Sequence, residues 1–151
     1  MPGSPAPTTA CEAPLPKTPV LPGSPRILIV DDEPSICNAL SHVLRRAGYD
    51  PVTALGTIEA VALLSDSIEA MLLDLRLAHM RGDVFFHLAA ARFPLLLRRT
   101  LFITGDISQE AETLIANTGC QYLQKPFQNF ALVEALHAML AGRAGPSVGA
   151  S

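Results

Sequence analysis

The stretch RILIVDDEP, residues 26–34, decides the fold. Its apolar run ILIV contains three β-branched residues and is typical of a strand buried on both faces, while Pro34 is typical of the first turn of a helix. Three adjacent carboxylates stand between them. Two unit charges ~5 Å apart repel each other by roughly 3 kcal/mol at an effective dielectric constant of about 20. A buried strand that ends in such a cluster indicates a bound group that offsets the repulsion.

The composition fits one domain in a reducing compartment. The chain has 151 residues, of which 49% are hydrophobic, and a net charge of −3. No Lys/Arg cluster is larger than a pair, so we expect no nucleic-acid partner. The three cysteines lack C-x-x-C spacing, which argues against a zinc site and a disulfide framework. With no secretory signal and no apolar run of membrane-spanning length, we expect a soluble, cytoplasmic protein without a membrane contact.

Proline content divides the chain into three parts. Residues 1–25 hold eight of the thirteen prolines and few large apolar side chains, which predicts a disordered arm or a linker. Residues 26–142 carry the regular apolar patterns of a folded domain. Residues 143–151 resemble the arm in composition and are predicted to form a flexible tail.

Strand-like and helix-like patterns alternate five times within residues 26–142. Parallel strands need crossover helices, so the alternation predicts an α/β fold with a doubly wound, five-stranded parallel sheet. Pro51 cannot donate a hydrogen bond, which places the second strand at an edge and favours the order 2-1-3-4-5. Thr57 is predicted to cap the second helix, and Asp106 or Ser108 the fourth. The predicted strands read RILIV, YDPVTAL, EAMLLDL, RTLFIT and QYLQ.

Acidic residues follow two of the predicted strands at the sheet edge where ligands bind in such folds. The first strand delivers Asp31, Asp32 and Glu33, and the third delivers Asp74. A phosphate-binding fold would instead place Gly, Ser or Thr after its first strand. Oxygen-only ligands with room for water describe Mg²⁺ better than zinc or copper. We therefore predict a Mg²⁺ site, although for Glu33 the favoured interpretation is a helix N-terminal acid alone.

The remaining strand ends suit phosphoryl transfer. Asp74 can act as a carboxylate nucleophile that forms an acyl phosphate. The Lys125 ammonium and the Thr104 hydroxyl can bind the phosphoryl oxygens, and Gly105 leaves space for the incoming group. Each of these residues taken alone is also common as a surface or strand-end residue, so their combination carries the prediction.

Four motifs that contain these residues occur in order: IVDDEP, LLDLRL, ITGD and QKPF. Asp32, Asp74, Thr104 and Lys125 follow one another at separations of 42, 30 and 21 positions. Together the motifs resemble the receiver domain of two-component response regulators, over about 117 residues. The resemblance implies a flavodoxin-like (βα)5 receiver, of the single-domain, CheY-like kind.

The resemblance also implies roles for the acids. Asp31 and Asp32 would bind Mg²⁺ together with Asp74 and the backbone carbonyl of Arg76. Asp74 would accept phosphate from a histidine kinase or a histidine phosphotransfer protein. Lys125 would contact the phosphoryl group, and its peptide bond to the following proline would be cis.

A conformational switch is the next implication of the resemblance. Thr104 would move toward the phosphate while Tyr122 swings inward, and this would alter the face of the fourth helix, fifth strand and fifth helix, where an effector protein binds. In this family the positions of Arg76 and Asp106 tune phosphoryl lifetime. We hypothesise that these two opposite charges pair across the pocket and slow hydrolysis.

One segment departs from the family pattern. Many members have Met-Pro-Gly-Met-Asp-Gly a few residues after the phosphoacceptor, whereas residues 77–82 read LAHMRG. The loop therefore lacks the stiffness that proline gives.

The favoured function is a stand-alone bacterial response regulator receiver that catalyses only its own phosphorylation and slow autodephosphorylation. One alternative is a phosphorelay shuttle or sink, or the receiver part of a hybrid histidine kinase. A more distant one is a Mg²⁺-dependent aspartyl phosphohydrolase, which the adjacent Asp31 and Asp32 disfavour because such enzymes space these residues two apart. The last is a docking module that never takes phosphate.

Overall fold

Five parallel strands form one sheet in the order β2-β1-β3-β4-β5 within residues 23–105 and 108–141, which the computed structural model describes. The strands are β1 (Arg26–Val30), β2 (Asp50–Ala54), β3 (Ile68–Asp74), β4 (Thr100–Thr104) and β5 (Gln121–Gln124). The helices are α1 (Pro34–Arg46), α2 (Thr57–Leu63), α3 (Gly82–Arg92), α4 (Gln109–Thr118) and α5 (Asn129–Leu140). The predicted fold class and strand order are confirmed.

The apolar run of β1 lies inside the sheet, as its composition requires. β1 pairs with β2 on one side and with β3 on the other, and its last four residues are at most 1% exposed. Pro51 lies opposite Ile27 in the outer strand β2. Its missing N–H therefore leaves the inner ladder intact, because β2 pairs with no other described strand.

Side chains alternate between two apolar cores, one on each face of the sheet. Ile27 and Ile29 pack with α1 and α5, whereas Leu28 and Val30 pack with α2, α3 and α4. The core under α2, α3 and α4 contains three fully buried phenylalanines: Phe85, Phe86 and Phe102. Both faces of β1 are thus covered, and its polar end is fixed at the carboxyl edge of the sheet.

Two helix ends differ from the predictions. Gly56, not Thr57, is the N-cap of α2, and Thr57 is buried in the first turn. The Glu59 carboxylate accepts the Leu55 N–H at 2.6 Å, so a side chain within the helix satisfies a backbone donor before it. Ser108 caps α4 as predicted: its hydroxyl accepts the N–H of the residue three positions later, at 3.1 Å.

Some features lie beyond the sequence predictions or beyond the described residues. A short 3-10 helix, Pro94–Arg98, precedes β4, where no element was predicted. The arm and tail assignments fall largely on residues 1–22 and 142–151, which lie outside the described residues, as does Asp106. None of the helices in the described part of the chain is long and apolar enough to cross a membrane.

Candidate functional site

The end of β1 places one carboxylate inside the fold and two at its surface. Asp31 is only 2% exposed, and its Oδ1 accepts the Glu33 N–H at 2.9 Å. Its own N–H donates to the Ala54 carbonyl at 3.1 Å, so the chain keeps its sheet pairing one residue beyond β1. Asp32 and Glu33 are exposed, and Glu33 caps α1 through its backbone without a side-chain hydrogen bond. The helix-terminal role favoured for Glu33 agrees with this position.

Asp74 ends β3 beside Asp31. It is 8% exposed, and its Oδ1 accepts the Arg76 N–H at 3.1 Å. Asp31, Asp32 and Asp74 each offer a carboxylate oxygen, and these oxygens lie within 4.8 Å of one another. The structure therefore brings together the three acids that the sequence analysis assigned to a metal.

Lys125 enters this cluster from β5. Its backbone N–H donates to the Thr104 carbonyl at 2.8 Å, which holds it next to the end of β4. Its Nζ lies 3.2 Å from Asp31 Oδ2 and 3.3 Å from Asp74 Oδ2. The peptide bond between Lys125 and Pro126 is cis, as the resemblance implied.

The charges of the site shift two of its pKa values. Burial raises the pKa of Asp74 above its ordinary value of 3.8, and the Arg76 N–H and the Lys125 ammonium offset this only in part. Burial would lower the pKa of Lys125, but the carboxylates of Asp74 and Asp31 together outweigh it and raise that pKa. Lys125 therefore carries its charge, yet it balances only part of the charge of three carboxylates. Such a surplus of oxygen ligands suits a hard divalent cation.

The predicted switch residues lie at and behind this cluster. Thr104 is 1% exposed at the end of β4. At the next residue, Gly105, an added Cβ would lie 4.0 Å from the Lys125 Cβ, its nearest neighbour outside the adjoining chain among the described residues. Tyr122 is half-buried opposite Phe102 and packs against the core under α2, α3 and α4. Arg76 is exposed beside the site, and its pairing with Asp106 remains a prediction.

The sequence analysis did not predict the contact between Gly82 and the backbone of Asp74. A Cβ built on Gly82 would lie 2.2 Å from the Asp74 carbonyl oxygen and 2.9 Å from the Leu75 Cα. The Gly82 N–H donates to the Leu75 carbonyl at 2.8 Å. Only glycine fits where α3 begins against the backbone of the acceptor strand. The available signal was the glycine at position 82, which keeps the last residue of the family pattern Met-Pro-Gly-Met-Asp-Gly.

Comparison with known proteins agrees with this geometry. Residues 27–137 match the family described as response regulator receiver domain. A putative response regulator NtrX-like of Rickettsia bellii is 31% identical over 111 residues, which cover 71% of this chain and 23% of that protein. The uncharacterized transcriptional regulatory protein YrkP of Bacillus subtilis is 32% identical over 115 residues, covering 75% and 46%. This chain therefore spans less than half the length of either relative.

A solved structure gives the same result at the level of the fold. The CheY-like response regulator receiver domain protein from Methanospirillum hungatei JF-1 superposes with a TM-score of 0.73 at 27% identity, covering 80% of this chain and 96% of that one. The family match covers most of the chain, and the five-stranded fold agrees with it. The chain belongs to the response regulator receiver domain family of two-component systems.

Proposed function

We propose that this chain is a phosphorylation-controlled switch in which Asp74 accepts a phosphoryl group from a histidine kinase or a histidine phosphotransfer protein. The observation that carries the proposal is the position of the Lys125 ammonium, which lies 3.2 and 3.3 Å from two buried carboxylates whose oxygens are within 4.8 Å of those of a third. A phosphoacceptor carboxylate needs cationic groups around it, because its product brings further negative charge to an acidic site.

The residues present fit a Mg²⁺ ion. Asp31, Asp32 and Asp74 supply carboxylate oxygens within 4.8 Å of one another, and two of these acids are buried. These three side chains, together with the backbone carbonyl of Arg76, would hold the ion. When bound, it supplies positive charge that neutralises the oxygens of the incoming phosphoryl group.

The chain's own groups position the acceptor. The Arg76 N–H holds Asp74 Oδ1 and the Lys125 ammonium holds Oδ2, so the carboxylate is oriented before the donor arrives. One Asp74 oxygen attacks phosphorus as the bond between phosphorus and the donor imidazole nitrogen breaks, and the imidazole leaves with the electron pair. Lys125 and the Thr104 hydroxyl then bind phosphoryl oxygens in the space next to Gly105.

Output follows from the charge that the acyl phosphate adds, roughly two negative units. Thr104 moves toward the phosphoryl group, Tyr122 turns inward, and the face built from α4, β5 and α5 changes its shape for an effector protein. A shift of a 1:99 equilibrium to 99:1 requires the phosphate to favour the active state by about 5.5 kcal/mol. We place this switch in the bacterial cytoplasm, acting as a stand-alone receiver through a separate partner.

The test is phosphorylation by a small donor. We expect the full chain, incubated with Mg²⁺ and acetyl phosphate or phosphoramidate, to gain the mass of one phosphoryl group, and Asp74→Asn to gain none. Asp66→Asn, at an exposed turn, is the matched control and should be phosphorylated like the wild type. Uptake by Asp74→Asn, or equal uptake after removal of Mg²⁺ with a chelator, would contradict the proposal.

A further inference from the structure

The loop after β3 holds a site residue without the proline that stiffens it in many relatives. Residues 75–81 read LRLAHMR and contain neither proline nor glycine. Leu75 is fully buried, and Leu77 and Met80 pack partly against the core, whereas Arg76 is exposed. Some contact at the far end of the loop must fix its course, because Arg76 contributes both the N–H that holds Asp74 and a carbonyl assigned to Mg²⁺.

That contact is made by Gly82 and its two neighbours. Gly82 lies against the backbone of Asp74 and Leu75, close enough that an added Cβ would meet the Asp74 carbonyl oxygen at 2.2 Å. On either side of it, Arg81 Nε donates to Asp83 Oδ1 at 2.8 Å, and Arg81 Nη2 donates to Asp83 Oδ2 at 3.2 Å. The ion pair thus spans the residue that touches the acceptor backbone.

The burial of Asp83 makes this pair more than a surface contact. Asp83 is 6% exposed in the first turn of α3, whereas the Arg81 side chain is 46% exposed. A buried carboxylate is costly unless it is paired. The N-terminus of α3 stabilises the negative charge of Asp83, and the Arg81 guanidinium donates two hydrogen bonds to it. Bidentate pairing also fixes the relative orientation of residues 81 and 83, and hence that of the glycine between them.

We propose that Arg81 and Asp83 are positioning residues for the phosphorylation site: their ion pair seats Gly82 on the backbone of Asp74 and thereby sets the affinity of the site for Mg²⁺. The pair takes the place of the loop proline that this sequence lacks. The inference rests on the proposed function, since it concerns the same Mg²⁺ site.

Charge alone would act differently on the two partners. Removing the positive charge of Arg81 would strengthen Mg²⁺ binding through long-range electrostatics, and removing the negative charge of Asp83 would weaken it. Loss of positioning weakens binding in both variants. The sign of the Arg81→Gln effect therefore separates the two explanations.

The experiment is a Mg²⁺ titration of the isotope-labelled full chain, followed by the amide chemical shifts of residues near the site. We expect Arg81→Gln and Asp83→Asn each to bind Mg²⁺ about threefold to tenfold more weakly than the wild type. This loss is smaller than the ~10–100-fold typical of residues that contact a metal ligand directly, because the pair acts through Gly82. The double variant should bind Mg²⁺ no more weakly than the weaker-binding of the two single variants, because both substitutions remove the same ion pair. Arg81→Lys keeps the positive charge but cannot donate two parallel hydrogen bonds, so its Mg²⁺ affinity should lie between those of Arg81→Gln and the wild type.

Arg26 and Asp50 provide the matched control. They form an ion pair at 3.2 Å at the amino ends of β1 and β2, whereas the carboxylate cluster lies at the carboxyl ends of the strands. Arg26→Gln and Asp50→Asn should leave the Mg²⁺ affinity unchanged, and urea unfolding of every variant verifies that it is folded. Tighter binding by Arg81→Gln, or wild-type affinity in both Arg81→Gln and Asp83→Asn, would overturn the inference. Absence of Mg²⁺ binding in the wild type would instead refute the proposed function.

Discussion

Asp31 follows β1 and Asp74 ends β3, and both buried aspartates belong to one carboxylate cluster, but the loops after the two strands hold them by different means. In both, one carboxylate oxygen accepts the N–H two residues later: Glu33 for Asp31 and Arg76 for Asp74. After β1 the chain enters α1 within three residues, 31–33. After β3 it runs through residues 75–81 before α3 begins. A short loop is fixed by local hydrogen bonds, whereas the long one depends on a tertiary contact at its far end.

The two aspartates should differ most in what their loss does to phosphorylation. We expect Asp74→Asn to abolish phosphoryl uptake, because the nucleophile is gone. Asp31→Asn should still be phosphorylated, but with Mg²⁺ affinity lowered by about 100-fold or more, since even residues behind a metal ligand cost ~10–100-fold. Uptake measured by intact mass across a Mg²⁺ series distinguishes them. Complete loss of uptake by Asp31→Asn at saturating Mg²⁺ would mean that the two residues are not functionally distinct.

The loop after β3 should be sensitive to the addition of a single methyl group at Gly82, where α3 begins. Gly82→Ala places a Cβ against the Asp74 carbonyl, so we expect a loss of about 3 kcal/mol in the free energy of unfolding. Urea denaturation measures this loss. Gly56→Ala, where an added Cβ meets no atom of the described residues within 4 Å, is the control and should cost about 1 kcal/mol or less. Equal stability of the two variants would show that Gly82 does not support the site.

Lys125 connects the two loops, since its ammonium contacts both Asp31 and Asp74. Without Mg²⁺, Lys125→Met should lose about 1–3 kcal/mol of unfolding free energy, because two buried carboxylates lose their counter-charge. Saturating Mg²⁺ should remove most of this deficit, since the cation supplies the missing charge to the folded state. Thermal unfolding of wild type and variant with and without Mg²⁺ tests this. A deficit that Mg²⁺ leaves unchanged would contradict a shared charge-balancing role.

The smallest expected effect concerns the support of the short loop. The Cys37 thiol donates to the Asp31 carbonyl at 3.3 Å. Burial and the nearby Asp31 charge raise the pKa of Cys37 from its ordinary value of 9.0 to about 11. The unfolded chain thus loses this proton first as the pH rises. The stabilisation is complete below pH 9.0 and is lost as the pH rises through about 11.

Cys37→Ser isolates this contribution, because a serine hydroxyl does not titrate in that range while Tyr49, whose pKa burial also raises, is present in both proteins. The stability of the wild type relative to Cys37→Ser should therefore fall between pH 9.0 and about 11, as urea unfolding at each pH would show. A constant difference would mean that the thiol titrates alike in both states.

The contrast between the loops also explains what the sequence could predict. Asp31, Asp74 and Lys125 each follow a recognisable strand, and parallel topology brings strand ends together, so their convergence could be predicted from strand assignment alone. The close contact at Gly82 and the Arg81–Asp83 pair arise only when α3 docks on β3, and the hydrophobic periodicity of α3 and β3 does not specify that docking. The cap at Gly56 was also not predicted: Thr57, which has the residue type of a cap, is instead a buried residue of the first turn of α2.

The proposed switch depends above all on the phosphorylation of the Asp74 carboxylate in a site that requires Mg²⁺. Borohydride reduction converts an aspartyl phosphate to homoserine, which peptide mass spectrometry can locate. After treatment with Mg²⁺ and acetyl phosphate, we expect homoserine at residue 74, and none when Mg²⁺ is chelated. Homoserine at another aspartate, or phosphate retained on a histidine or serine with residue 74 unmodified, would contradict the proposed switch.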